Sequence, residues 1–322
     1  VTLPVETREA APAGEHAPAP LHPQMADALA RNASLQPPGQ SRDSLPVSEI
    51  RRIFEEARAV FNQPQVPVQS VEERTLLTRH GDVRCKLYRP EGGGADLPLI
   101  VYAHGGGWML GSVDSHDGLT RLLCRESGTA VLSVDYPRAP ETPPLTMVEV
   151  LCDVAAAAAE DAPGGIVLAG DSAGAHLAVL TALALPPATR SSLKGVISFY
   201  GVLSRRLDLP SFATYRDEAY GLSTDRMGFY WAQLLTHHHG DPDRVDPALQ
   251  DLSGLPPLLL VAAECDVLRD TTTLFAERAA AAGVPVTATT KTGMAHAFLA
   301  YGGIVEEAAR TAAEAGAFLR RL

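Results

Sequence analysis

Ile166-Val167-Leu168-Ala169-Gly170-Asp171-Ser172-Ala173-Gly174-Ala175-His176 is the stretch on which the reading of this chain turns. Ile166–Ala169 is a short apolar run of the kind that forms a buried strand, and Ala173 opens a longer apolar segment suited to a buried helix. Between them, Gly170–Gly174 has the pattern GxSxG. A strand that passes into a helix within so few residues needs small side chains on both sides of the turn. The serine at its tip is then held in a strained conformation with its hydroxyl exposed. The pattern alone is common, and the strand–turn–helix context is what makes Ser172 a candidate nucleophile.

On either side the chain keeps the same rhythm. Apolar runs at Leu97–Ala103, Ala130–Val134, Gly195–Phe199, Leu258–Ala262 and Val284–Ala288 alternate with helical segments near 117–126, 146–160, 173–185, 271–282 and 303–321. Such alternation predicts a mostly parallel sheet covered by helices on both faces. Before it, Glu73–Thr78 and Val83–Tyr88 alternate in polarity, with Gly81–Asp82 as the expected hairpin turn. An antiparallel hairpin starting a mostly parallel sheet fits the α/β-hydrolase fold, an eight-stranded core to which the segments described next add a helical cap.

The expected organisation has five parts. Residues 1–20, rich in Ala, Pro and Glu, are expected to be disordered. Residues 21–65 hold two cap helices, near His22–Arg31 and Ser48–Phe61; the second places Ile50, Ile53, Phe54, Ala57, Val60 and Phe61 along one face. Residues 66–202 form the first part of the core and 255–322 the second. The segment 203–254 interrupts the alternation, carries a helix near Asp225–Leu235, and reads as a cap insertion.

The 38 acidic residues outnumber the 27 basic ones, for a formal charge of −11, which argues against a nucleic-acid partner. Cys85, Cys124, Cys152 and Cys265 form no CxxC pair, so free buried thiols are expected. Val1–Pro20 lacks a basic start and an apolar core, which predicts no signal peptide and a cytoplasmic protein. Ala173–Leu185 is shorter than the roughly 20 residues of a membrane span, so no stable membrane insertion is expected.

Acyl transfer places negative charge on a carbonyl oxygen, which calls for fixed N–H donors. His104-Gly105-Gly106-Gly107-Trp108, directly after Leu97–Ala103, offers them. The expected donors are the N–H groups of Gly105, Gly106 and Ala173. A serine nucleophile also needs a base and an acid that orients it, in the chain order serine, acid, histidine. His176 lies in the elbow helix and is expected to pack there. The run His237-His238-His239 falls in the cap and suits a solvated or cap-lining segment better than a metal site, since adjacent side chains diverge. His296 follows Val284–Ala288 and is the expected base. Asp266 follows Leu258–Ala262 and is the expected acid, with Glu264 anchoring nearby backbone and Asp270 capping the next helix. Trp108, Met294 and Phe298 are the candidates for substrate contact. The pattern calls for no cofactor and no metal.

These motifs resemble those of the bacterial hormone-sensitive-lipase-like (family IV) carboxylesterases, from about His22 to the C-terminus. HGGGW stands intact at His104–Trp108 and GDSAG at Gly170–Gly174, while Asp266–Asp270 resembles the family's DPLRD and His296-Ala297-Phe298 its HxF. Asp251–Pro257 resembles the run that leads into the acid-bearing strand. The family's DYRLAPE reads here as Asp135-Tyr136-Pro137-Arg138-Ala139-Pro140-Glu141, with proline and arginine at its third and fourth places. Val267 stands where proline is common. The resemblance implies a cap over the site and hydrolysis of small to medium esters. It leaves an amidase or deacetylase of natural-product intermediates as the alternative, and a homodimer is compatible with it. A dehydratase or a non-catalytic small-molecule receptor on this fold is disfavoured because all three triad members are present.

Overall fold

A computed structural model of the chain describes residues 17–36, 45–93 and 97–322. Eight strands form its sheet: β1 (Ser70–Thr78), β2 (Gly81–Arg89), β3 (Leu99–Ala103), β4 (Val131–Val134), β5 (Ile166–Asp171), β6 (Leu193–Phe199), β7 (Leu258–Cys265) and β8 (Val286–Ala295). Their order is β1-β2-β4-β3-β5-β6-β7-β8. β2 pairs antiparallel with β1 and β4, and all other neighbours are parallel. Every residue of β4 and β5 is buried, as expected of strands covered on both faces.

The helices are α1 (Pro23–Ser34), α2 (Val47–Phe61), α3 (Asp117–Ser127), α4 (Pro144–Glu160), α5 (Ala173–Ala184), α6 (Pro187–Arg190), α7 (Pro210–Thr214), α8 (Thr224–Leu235), α9 (Arg269–Ala281) and α10 (Glu306–Leu319). α3 packs on α10, and α4 packs on α5. The chain leaves β3 for β4 on one side and then crosses to β5 on the other. In such sheets the C-terminal strand ends flank a ligand crevice at this switch. The ends of β3, β5, β7 and β8 here carry His104, Ser172, Asp266 and His296 respectively.

Three expectations about local structure need correction. The hairpin turn is Arg79–His80, because Thr78 pairs with Gly81 and both Gly81 and Asp82 belong to β2. The last strand starts later and runs much further than Val284–Ala288, so His296 follows its final residue directly. β8 pairs on one side only, and its exposed Thr287, Thr290 and Thr292 suit a solvated strand edge. Of the N-terminal 20 residues, 1–16 lie outside the described part, but Ala19 packs against the core. There the Ala19 N–H donates to Tyr215 Oη (3.3 Å) and its carbonyl accepts from Cys265 Sγ (3.4 Å).

α2 buries Ile50, Ile53, Ala57 and Phe61, four positions on one face of the predicted amphipathic helix. Ile50 joins Met109 and Leu110 in a small apolar cluster, against which Phe229 and Tyr230 of α8 also pack. Arg51 fixes α2 to the core. Its Nε donates to the Met109 carbonyl and Nη2 to that of Ala139, both at 2.9 Å, and the guanidinium holds Glu141 through two further bonds. All four cysteines are buried and free, and burial pushes the Cys85 and Cys124 thiols up to about 12.

Candidate active site

The site starts at the turn between β5 and α5. Ser172 has φ +53° and ψ −119°, a strained backbone for a residue with a side chain. Its N–H donates to the Phe199 carbonyl at 2.9 Å, which ties the turn to β6. Gly174 faces the end of β3 so closely that a Cβ there would overlap the Ala103 carbonyl. The second glycine of the pattern is therefore a packing requirement of the elbow.

Ser172, His296 and Asp266, predicted from three separate loops, come together in the fold. His296 Nε2 is 2.9 Å from Ser172 Oγ, and His296 Nδ1 is 2.7 Å from Asp266 Oδ2. The other carboxylate oxygen of Asp266 accepts the Leu268 N–H at 3.0 Å, so backbone orients the acid. Asp266 is only 1% exposed and His296 8%, so water is largely excluded from the bond between them. The Tyr200 ring meets the His296 imidazole edge-on, with centroids 5.3 Å apart.

The other histidines are placed differently. Burial pushes His176 down to about 4 and His116 down to about 3, so both are neutral at ordinary pH. His176 Nδ1 accepts the Trp108 indole N–H (3.1 Å), and its Nε2–H donates to the Val245 carbonyl (2.7 Å). It packs where the sequence put it, as a bridge between the elbow helix and the 203–254 segment. His237 and His239 are exposed and His238 is half-buried. Among the described residues no cluster of His, Cys, Asp and Glu is arranged to hold a metal ion.

The glycine loop departs from expectation at one residue. The Gly105 N–H is not free to face a ligand, because it donates to Asp171 Oδ1 at 2.8 Å. The same oxygen accepts the Tyr102 hydroxyl at 2.6 Å, so this buried carboxylate clamps the loop to β3. Gly106 (φ +119°) and Gly107 (φ +59°) follow in conformations that favour glycine, and both line the cavity above Ser172. Their N–H groups donate to no protein acceptor among the described residues, and neither does that of Ala173 at the first position of α5. Gly107 and Asp171 were thus missed as contributors. Both letters stand inside the recognised motifs, but the direction of each N–H depends on a partner from a distant strand.

Trp108, Met294 and Phe298 do not line this cavity, and all three are buried within the protein. The reason for Trp108 is its backbone: φ +60° turns the indole inward, onto Trp231 of α8 at 4.6 Å between ring centroids. Phe298 packs on Tyr200. The altered Asp135–Glu141 segment props the glycine loop from behind. Tyr136 Oη donates to the His104 carbonyl (2.7 Å), the Ala139 N–H donates to that of Trp108 (3.0 Å), and Arg138 bridges Asp135 and the Gly111 carbonyl.

Of the neighbouring acids, Glu264 accepts the Gly293 N–H at 2.7 Å, anchoring backbone as expected. Asp270 does not cap its own helix, because α9 begins at Arg269, two residues earlier than expected, and its N-cap is Leu268. Its carboxylate instead accepts the Ser211 N–H in α7 (2.8 Å) and pairs with Arg269 (2.8 Å).

The cavity over Ser172 has a volume of about 1030 Å³. Core residues form its floor, while Leu29, Phe54, Leu222 and Met227, from α1, α2 and the 203–254 segment, are among its walls. No helix among the described residues is long and apolar enough to cross a membrane.

Comparison with known proteins places this geometry. A family profile described as alpha/beta hydrolase fold matches residues 100–300. The carboxylesterase NlhH of Mycobacterium tuberculosis is 33% identical over 287 residues, covering 83% of this chain and 89% of its own. The ethyl acetate hydrolase of Pseudomonas putida is 31% identical, with 82% of this chain and 87% of its own length covered. Among solved structures, the hyperthermophilic esterase of the archaeon Pyrobaculum calidifontis superimposes with a TM-score of 0.84 at 32% identity, spanning 94% of this chain and 98% of that one.

Proposed function

This chain belongs to the hormone-sensitive-lipase-like branch of the α/β-hydrolase fold family, and we propose that it is a carboxylesterase working through an acyl-enzyme on Ser172. The observation that carries the reading is the continuous hydrogen-bonded series from Asp266 through His296 to Ser172. Ser172 Oγ attacks the ester carbonyl carbon as its proton passes to His296 Nε2. Asp266 keeps the ring in the tautomer that accepts this proton and stabilises the resulting imidazolium. The carbonyl oxygen, now negative, lies against the N–H groups of Gly106, Gly107 and Ala173. The C–O bond to the alcohol then breaks, His296 returns the proton to the leaving oxygen, and water repeats the sequence to release the acid.

This donor set replaces Gly105 with Gly107, and it carries a prediction. A methyl group at Gly106 would overlap the Leu110 carbonyl and meet an unfavourable φ, so the loop must shift to accept it. Gly106→Ala is expected to lower kcat by about 10²–10³. Unchanged steady-state turnover in the folded variant would remove the loop from the mechanism.

The helices of 21–65 and the 203–254 segment together act as the cap in this reading. A panel of p-nitrophenyl esters from acetyl to palmitoyl should be cleaved best at short and medium chain length. Removing residues 1–63 takes Leu29 and Phe54 from the cavity wall and exposes apolar surface, so it should broaden that preference and lower thermal stability. A truncated chain with the same melting temperature and the same profile would refute the cap. A full chain inert toward the whole panel would refute the esterase reading.

A further inference from the structure

Arg58 is a half-buried charge in the wall of the substrate cavity that meets no counter-ion among the described residues. Its neighbours on α2 are answered: Arg51 holds Glu141, and Arg52 holds Glu49 and Glu56. Arg58 forms no ion pair among the described residues, and its Nη1, shielded from solvent, reaches no acceptor there. The guanidinium is nevertheless held in place. It lies over the Phe54 ring at 5.1 Å and the Tyr301 ring at 5.5 Å, measured to the centroids. All three side chains line the cavity that also reaches Ser172 and His296. Of the acidic groups lining the cavity, Asp217, Glu218 and Asp225 form no ion pair with it, Glu218 being taken up by Arg226 at 2.7 Å, and the buried Asp171 is held by the Tyr102 hydroxyl and the Gly105 N–H.

A guanidinium packed on two rings loses little freedom when it binds, and its planar fork matches a carboxylate through two parallel bonds. Leaving such a group partly desolvated without a counter-ion is costly, and an anionic ligand removes that cost. The net charge of −11 disfavours diffuse attraction of anions, so a preference for one must arise locally. We propose that Arg58 is a specificity-determining residue that binds a carboxylate on the substrate, so that the ester cleaved at Ser172 carries a second, anionic group. This rests on the esterase reading above and names its substrate class. The carboxylate sits on either the acyl or the alcohol part, and the test separates the two.

Monoethyl succinate against ethyl pentanoate tests the acyl side, and 3-acetoxypropanoate against butyl acetate the alcohol side, all followed by pH-stat titration. In one arm the full-length wild type should favour the anionic ester. Arg58→Met keeps an apolar stem but removes the charge. It should lower the anionic-to-neutral ratio of kcat/KM by about 10- to 100-fold, mainly through KM, and Arg58→Lys should retain part of the ratio. The ratio does not depend on how much of a variant is folded. Calorimetric titration with glutarate adds a readout free of catalysis, with binding expected to the wild type and not to Arg58→Met. Glutarate binding through Arg58 in a protein that cleaves none of the four esters would sink the esterase reading and with it the substrate class, leaving Arg58 as a carboxylate-binding residue only. Cleavage of the neutral esters, with the same ratio in Arg58→Met as in the wild type in both arms, would overturn this inference alone.

Discussion

Ser172→Ala is expected to lower kcat by on the order of 10⁶, the scale on which triad hydrolases lose activity when the nucleophile is removed. The loss should appear in kcat with the fold intact. Ser172 holds its place through its backbone, with its N–H on the Phe199 carbonyl and its own carbonyl accepting from the Val202 N–H at 3.2 Å. Alanine keeps both bonds and adds no atom to a crowded turn. A melting temperature near that of the wild type, together with turnover near background, is the expected pair of results. Variant activity within tenfold of the wild type would mean that another group attacks the ester.

The second large effect belongs to Asp266. Its two carboxylate oxygens have separate duties, Oδ1 toward the Leu268 N–H and Oδ2 toward His296 Nδ1. An asparagine has only one oxygen to offer. If that oxygen satisfies Leu268, the amide NH₂ faces Nδ1 and the ring must put its proton on Nε2, where it points at Ser172 and cannot accept. Asp266→Asn is therefore expected to lower kcat by about 10⁴. Asp270→Ala removes the acceptor of the Ser211 N–H and the partner of Arg269, both away from His296. It should cost on the order of 1 kcal/mol of stability with a small change in kcat. Kinetics and thermal denaturation measured on both variants separate these roles. An active Asp266→Asn beside an inactive Asp270→Asn would reverse them.

Much of this arrangement was legible in the order of residues. The elbow needed only a short apolar run, a small-residue turn and an apolar helix, all local features of Ile166–Leu185. The amphipathic face of α2 was equally local, since helical spacing alone brings Ile50, Ile53, Ala57 and Phe61 into line. The errors fall where a partner distant in sequence decides the outcome. Gly105 is turned away from the cavity by Asp171, 66 positions further along, and nothing in a run of three glycines says which N–H is spent that way. Trp108 stands next to the glycine loop in sequence but is carried inward to meet Trp231 and His176. Asp270 serves α7 instead of its own helix because the 203–254 segment folds back over it. Arg58 fits the same rule, for an arginine on an amphipathic helix has no distinguishing mark until its neighbours are known.

The central claim is that a single serine, Ser172, carries the acyl group, and a fluorophosphonate tests it most directly. Intact-protein mass spectrometry of the treated wild type should give one adduct, peptide mapping should place it on Ser172, and Ser172→Ala should remain unmodified under the same conditions. An adduct on another residue, or equal labelling of Ser172→Ala, would contradict the account.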